Sequence, residues 1–72
     1  MNHNVEHTIR LAKRLGATVL DVRKGRAKHT KLTIRTKEGA VFKHGVNLSP
    51  FKRMEQEAYL RQAINRANRK DR

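Results

Sequence analysis

The sequence predicts an α+β fold that consists of one helix, three antiparallel strands and a second helix. Apolar residues recur at helical spacing over residues 4–15 and alternate with polar residues over residues 30–36. A third signal is Ser49-Pro50, where a helix-capping residue precedes a proline and a stretch rich in helix-forming residues follows. Two helices and one small sheet are expected to pack as two layers.

The length of the chain limits it to one domain. It has 72 residues, fewer than the ~100–150 of a typical domain. We expect a single domain over residues 1–72, with a core of about residues 4–68 and a frayed tail at residues 69–72. A domain of this size buries only about 60% of the surface that its unfolded chain exposes, which leaves one thin core.

The first helix is predicted over residues 4–15. Asn2 or Asn4 can cap its beginning, and Gly16 can adopt the left-handed conformation that ends a helix. We expect its apolar stripe to face the sheet. This stripe comprises Val5, Thr8, Ile9, Leu11, Ala12 and Leu15.

The first strand is predicted to begin near Ala17. From there the hydrophobic period changes to two, which puts Leu20 and Val22 on the core side of the strand. The opposite side would carry Val19, Asp21 and Arg23.

The second and third strands form a predicted hairpin. Alternation in the second strand buries Leu32 and Ile34. The three-residue loop that follows ends in Gly39, which suits the left-handed position of such a loop. This loop would set Ile34 opposite Phe42, in a third strand over residues 40–44.

The second helix is predicted from Pro50 to about residue 69, with Ser49 as its N-cap. Its apolar residues fall into two groups on nearly opposite sides. One group comprises Leu60, Ala63, Ile64 and Ala67, and the other comprises Phe51, Met54 and Ala58. A kink, a looser first turn or packing on two sides would each explain this division, and the pattern does not choose among them.

Both helices should cover the same face of the sheet, because the predicted apolar residues of the strands share one side. That side carries Leu20, Val22, Leu32, Ile34 and Phe42. The opposite side, which we call the open face, is left to solvent. It carries the basic and hydroxylated residues Arg23, Lys31, Thr33, Arg35 and Lys43.

The net charge indicates a polyanionic partner. Eighteen Lys and Arg residues oppose six Asp and Glu residues, which gives a formal net charge of +12. The excess is spread along the chain, with nine basic and two acidic residues (+7) in residues 1–36 and nine and four (+5) in residues 37–72. A charge of this size attracts nucleic acid, whereas a merely solubilising surface mixes both signs.

Composition disfavours several other classes of protein. The chain has no cysteine, so disulfides and thiolate metal sites are excluded. Its six carboxylates are scattered along the sequence, and we expect no metal or other cofactor. No segment pairs a basic face with a face rich in large apolar residues, so a membrane partner is not expected. We expect a soluble, cytoplasmic domain.

The few aromatic residues disfavour a single-strand binder of the RRM or cold-shock type. Phe42 is assigned to the core, and we expect one of Phe51 and Tyr59 to be buried as well. Single-strand binders need exposed rings on which bases stack. Duplex RNA is recognised mainly through its shape, its phosphates and its 2′-hydroxyls.

The densest basic segment joins the first two strands and contains His29. Alternation places this histidine on the open face, in line with Lys31 and Arg35. A histidine with a pKa near 6.5 can take the proton from a ribose 2′-hydroxyl, which then attacks the adjacent phosphate. Nearby cations can stabilise the charge that develops. The alternative is a solvated side chain or a passive phosphate contact.

The other histidines have simpler interpretations. The predicted register puts His44 opposite Leu32, where a partly buried structural histidine is expected. His3 and His7 are interpreted as inert surface residues.

The predicted nucleic-acid contacts extend to the beginning of the second helix. Free N–H groups at a helix N-terminus favour phosphate, so Lys52 and Arg53 beside Ser49 are either phosphate contacts or solvated charges next to an ordinary cap. The full set of predicted nucleic-acid-binding residues is Arg23, Lys24, Arg26, Lys28, Lys31, Arg35, Lys43, Lys52 and Arg53.

The segment KGRAKHTKLTIRTKEGAVFKHGVNLS resembles the central part of HicA-type mRNA interferase toxins, especially their small phage-type relatives. His29 and the five residues after it match the histidine and the following strand of that family. Ala27-Lys28 stands where the family has Gly-Ser. The resemblance implies a double-stranded-RNA-binding-like (dsRBD-like) fold, RNA cleavage by His29 without a metal, and a HicB-like antitoxin as partner.

Three functions follow from the sequence and remain open. The first is a small basic RNA-binding HicA-like protein that acts as a metal-independent endoribonuclease through His29. The second is a non-catalytic nucleic-acid-binding protein of the same fold, encoded by a phage. The third is a basic inhibitor or adaptor that binds an acidic protein partner. RNA is favoured over DNA.

Overall fold

A computed structural model describes residues 2–25 and 29–70, and it confirms the predicted α+β layout. The three strands form one antiparallel sheet in the order β1-β2-β3. In chain order the elements are α1 (His3–Arg14), β1 (Thr18–Lys24), β2 (His29–Arg35), β3 (Val41–Asn47), a 3₁₀ segment (Pro50–Glu55) and α2 (Gln56–Lys70).

Both helices pack on one face of the sheet and contact each other there. The core between the two layers contains Val5, Leu11, Ala12, Ala17, Leu32, Ile34, Val46 and Leu60, all buried. Covering one face only leaves the other to solvent, as the two-layer prediction requires. No helix within the described ranges is long and apolar enough to cross a membrane.

Two asparagines have separate roles at the beginning of α1. The side chain of Asn2 is the N-cap and accepts a hydrogen bond from the backbone N–H of Asn4 at 2.8 Å. The Asn4 amide is buried and donates to the carbonyls of Asn47 and Ser49 at 2.8 and 2.7 Å. It therefore ties α1 to the end of β3, which is a tertiary role that its position in the sequence does not reveal.

In the first half of β1, the predicted assignment of side chains to the two faces of the sheet is wrong, because the strand contains a β-bulge. The register passes from Val19 opposite Ile34 to Asp21 opposite Thr33, so Leu20 is an extra residue. Val19 packs against the core, whereas Leu20 is 48% exposed. Beyond the bulge the predicted alternation holds.

The β2–β3 hairpin is confirmed in its loop and its register. Gly39 has a φ of +96°, the left-handed value that the predicted loop requires. Ile34 lies opposite Phe42, and the backbone N–H of Thr36 donates to the carbonyl of Ala40 at 2.7 Å. The third strand is longer than predicted, since it continues to Asn47.

The chain after Ser49 begins with a 3₁₀ turn rather than with the predicted α-helix. This is the looser first turn among the three alternatives. Phe51 and Met54 are 90% and 91% exposed, so they do not pack on a second surface. Leu60 is fully buried and Ile64 packs against the core, as their stripe predicts. Residues 69 and 70 belong to α2 and not to a frayed tail, while residues 71 and 72 lie outside the described ranges.

Substitutions on the two sides of β2 should differ in their effect on stability. Ile34 is fully buried, and Ile34→Ala should lower the free energy of unfolding by about 2–5 kcal/mol. The half-buried Thr33 faces away from the core, and Thr33→Ala should change it by no more than about 0.5 kcal/mol. Urea denaturation measures both values. Equal losses at the two positions would contradict a core on one side of the sheet only.

Candidate nucleic-acid interface

The open face consists of four rows of residues that lie across the strands. Residues opposite each other in an antiparallel sheet share a face. From one end of the sheet to the other, the rows are His29 with Asn47; Arg23 with Lys31 and Gly45; Asp21 with Thr33 and Lys43; and Thr18 with Arg35 and Val41. The five residues predicted for this face all lie on it.

The open face is basic. Arg23, Lys31, Arg35 and Lys43 are all exposed, and Asp21 is the acidic residue on the described part of this face. Four cations and one carboxylate give a net charge of +3. The carboxylate of Asp21 pairs with the Nε of Arg23 at 3.2 Å, and both side chains are more than half exposed. An exposed pair of this kind is weak, so Arg23 can exchange this partner for a phosphate.

A shallow depression of about 160 Å³ lies in the middle of the open face, lined by Asp21, Arg23, Lys31, Thr33 and Lys43. Gly45 lies beside it, opposite Lys31. A Cβ atom at Gly45 would meet no atom within 4 Å, so packing does not require a glycine here. A glycine within a strand lowers stability and often marks a close approach by a ligand. The sequence did not mark Gly45 as a strand residue, because the predicted third strand ended at residue 44, whereas β3 continues to Asn47.

His29 occupies the end row of the open face and is exposed. Its carbonyl accepts a hydrogen bond from the backbone N–H of Gly25 at 3.1 Å. A Cβ atom at residue 25 would lie 3.0 Å from the same carbonyl oxygen, closer than ordinary contacts allow. The absence of a side chain at Gly25 therefore allows β1 and β2 to come close together next to His29. Nothing in the sequence indicated this role for Gly25.

A cleft of about 610 Å³, which we call the end cleft, opens at the same end of the sheet. It lies between the sheet, the beginning of α1 and the residue that follows β3. Its lining comprises Asn2, Val5, Val22, Lys24, Gly25, His29, Thr30 and Leu48. Lys24 and His29 of the predicted site both contribute to this lining, although Lys24 pairs with the buried Thr30 and is not in a row of the open face.

The remaining predicted contacts do not join the open face. Lys52 pairs with Glu55 at 3.5 Å, and the Nε of Arg53 donates to the Oδ1 of Asn4 at 3.3 Å. Both cations lie on the 3₁₀ segment, on the helical side of the molecule. The predicted contacts Arg26 and Lys28 lie outside the described residues.

The expectation that one of Phe51 and Tyr59 is buried is wrong. Both are exposed, Phe51 almost fully and Tyr59 by 43%, but they lie on the 3₁₀ segment and α2 and not in the rows of the open face. The hydroxyl of Tyr59 donates to the carboxylate of Glu55 at 2.5 Å. This bond lowers the pKa of Glu55 and raises the pKa of Tyr59.

His44 is buried, as predicted, and lies opposite Leu32. Its ring meets the ring of Phe42 edge to face, with 6.4 Å between the centroids. Burial lowers the pKa of His44, because a charged imidazole loses its hydration there. Its Nε2 has no hydrogen-bond partner among the described residues. These properties identify a structural histidine.

The described part of the chain holds no cluster of three or more His, Cys, Asp or Glu side chains that could bind a metal ion.

Comparisons with family models, with characterised proteins and with solved structures give no match to this chain.

His44 should make stability depend on pH. Unfolded His44 takes up a proton near pH 6.5, whereas the folded protein takes it up only at lower pH. Between these two values the unfolded state holds more protons, so the free energy of unfolding should decrease as pH falls from about 7.5 to 5.5.

Chemical denaturation across this range measures the effect. His44→Leu should flatten the pH dependence, and the exposed His3→Leu should leave it unchanged. A wild-type stability that is constant over this range would contradict the burial of a neutral His44.

Proposed function

We propose that this domain binds RNA through the open face of its sheet. The observation that carries the proposal is the arrangement of Arg23, Lys31, Arg35 and Lys43 on one uncovered face with a single carboxylate among them. Spaced cations on a flat surface can contact successive phosphates of a nucleic-acid backbone. The net charge of +12 extends this attraction beyond the contact surface.

Two further features support a backbone contact at this face. Gly45 has no side chain and so leaves space beside Lys31. The fold does not require a glycine there, because a Cβ atom at this position would meet no atom within 4 Å. Thr33 lies between the cations and offers a hydroxyl that can donate to or accept from a ribose or phosphate. RNA is favoured over DNA by the resemblance to HicA-type toxins and their dsRBD-like fold.

Removing two cations from the open face should weaken binding and reduce its dependence on salt. We expect Lys31→Gln with Lys43→Gln to lower the affinity for a single-stranded RNA oligonucleotide. Each lost phosphate contact lowers the slope of log affinity against log salt by about 0.7 on a single strand. Fluorescence anisotropy at several salt concentrations measures both quantities.

The matched control removes two cations from α2. Arg66→Gln with Arg69→Gln changes the net charge equally, at exposed positions on the helical layer. This variant should keep most of the affinity and the slope. Equal effects of the two double variants would show that only total charge matters and would contradict binding at the open face.

A second candidate function is cleavage of the bound RNA by His29, as in a HicA-like mRNA interferase. The observation that favours it is the exposure of His29 at the end of the basic rows of the open face, with Lys24 in the lining of the same cleft. There a neutral imidazole can take the proton of a 2′-hydroxyl. The oxygen then attacks the adjacent phosphate, the bond to the 5′-oxygen breaks, and a 2′,3′-cyclic phosphate remains. Water or a lysine returns a proton to the leaving oxygen.

Cleavage by His29 should require its proton transfer and not only its charge. His29→Lys should retain RNA binding but abolish cleavage, because lysine stays protonated near neutral pH. Wild-type cleavage should persist in EDTA and should spare a 2′-O-methyl substrate. Gel analysis of a labelled RNA separates the outcomes. Cleavage by the variant at the wild-type rate would contradict this role, and an intact RNA with wild-type protein would leave only the binding function.

An acidic protein partner is the alternative to nucleic acid. A HicB-like antitoxin belongs instead to the toxin proposal, and a neighbouring reading frame that encodes one would support that proposal. Absence of any salt-sensitive binding to RNA would favour an inhibitor or adaptor. The cytoplasmic location stays a prediction.

A further inference from the structure

The helical layer leaves the sheet uncovered at the end where β1 stops and β2 begins. Val22 is 39% exposed, although Leu32 opposite it is fully buried. The end cleft opens at this point, between Val22 on the sheet, Val5 on α1 and Leu48 after β3. Its volume of about 610 Å³ lies within the range of about 300–1,000 Å³ that is usual for ligand pockets.

The lining of the end cleft combines apolar and basic residues. The aliphatic residues Val5, Val22 and Leu48 contribute to its lining, together with the exposed residues Lys24 and His29. No carboxylate is found among the described residues that line it. An apolar recess that also contains a lysine suits a flat uncharged ring joined to an anionic group. A nucleotide has this composition, since the faces of its base are apolar and its phosphate is charged.

We propose that the end cleft binds one unpaired nucleobase of an RNA whose backbone lies on the open face, an inference that rests on the proposed function. The two surfaces are continuous, because His29 belongs to the end row of the open face and also lines the cleft. An RNA strand that passes the row of Arg23 and Lys31 reaches the row of His29 next. From there the following base turns around the end of the sheet into the cleft.

The base must be unpaired to enter. A base within a duplex is held by its partner and by stacking on both faces, whereas an unpaired base in a loop or single strand can turn outward. Its entry would place the adjoining ribose and phosphate beside His29 and Lys24. The end cleft would thereby select which nucleotide of the RNA meets the histidine.

The experiment compares a ligand that has bases with a polyanion that has none. Val22→Trp fills the cleft at a position that is 39% exposed, and Ala58→Trp is the control, since Ala58 is an exposed residue of α2 outside both the open face and the cleft lining. Affinities are measured for a single-stranded oligoadenylate and for inorganic polyphosphate. We expect Val22→Trp to weaken oligoadenylate binding by about 5-fold or more, the lower end of the range for loss of one stacked base. Polyphosphate binding should not change, and Ala58→Trp should alter neither affinity.

A second measurement uses the wild-type protein and is independent of the folding of any variant. An oligoadenylate with one 2-aminopurine should increase its emission on binding, because a base in an aliphatic cleft no longer stacks on its neighbours. Unchanged emission, together with equal effects of Val22→Trp on both ligands, would overturn the cleft proposal while leaving RNA binding intact. Absence of salt-sensitive binding to either ligand would instead overturn the proposed function.

Discussion

The arrangement of this molecule depends on one constraint, which is that two helices can cover only one face of a three-stranded sheet. A chain of 72 residues supplies one layer of helices and no more. The fully buried Leu32 and Ile34 on β2 contribute to the core between the layers. The same alternation sends Lys31 and Arg35 to the other side. The basic surface is thus a direct consequence of burying the apolar one.

The end of the sheet that carries His29 is fixed by buried amides. The carbonyl of Asn47, which lies opposite His29, accepts from the Asn4 amide at 2.8 Å and from the Gln56 amide at 3.4 Å. Asn4 and Gln56 are both buried, and Asn47 is half-buried. These hydrogen bonds join α1, β3 and the beginning of α2 at one point. The hydrogen bond from the Gly25 N–H to the His29 carbonyl connects the end of β1 to the beginning of β2 at the same end of the sheet.

Local patterns predicted the hairpin and the open face well, because both depend on strict alternation and on one loop glycine. The bulge in β1 could not be predicted in this way. Val19, Leu20 and Val22 are all apolar, so the alternation of this strand is ambiguous and only pairing with β2 decides it. The burial of Asn4 and the exposure of Phe51 are likewise tertiary effects, since they depend on where the chain after β3 crosses α1. The end cleft has the same origin and left no signal in the sequence.

Nuclear magnetic resonance of the labelled protein with a single-stranded RNA tests the central claim most directly. If RNA lies on the open face, the amide shifts that change on titration should include those of His29, Lys31, Lys43 and Gly45. The chemical shifts of amides on the outer side of α2, such as that of Arg66, should not change. Higher salt should reverse the shifts caused by RNA. Changes confined to α2 and the 3₁₀ segment, with β2 and β3 unaffected, would contradict binding at the open face.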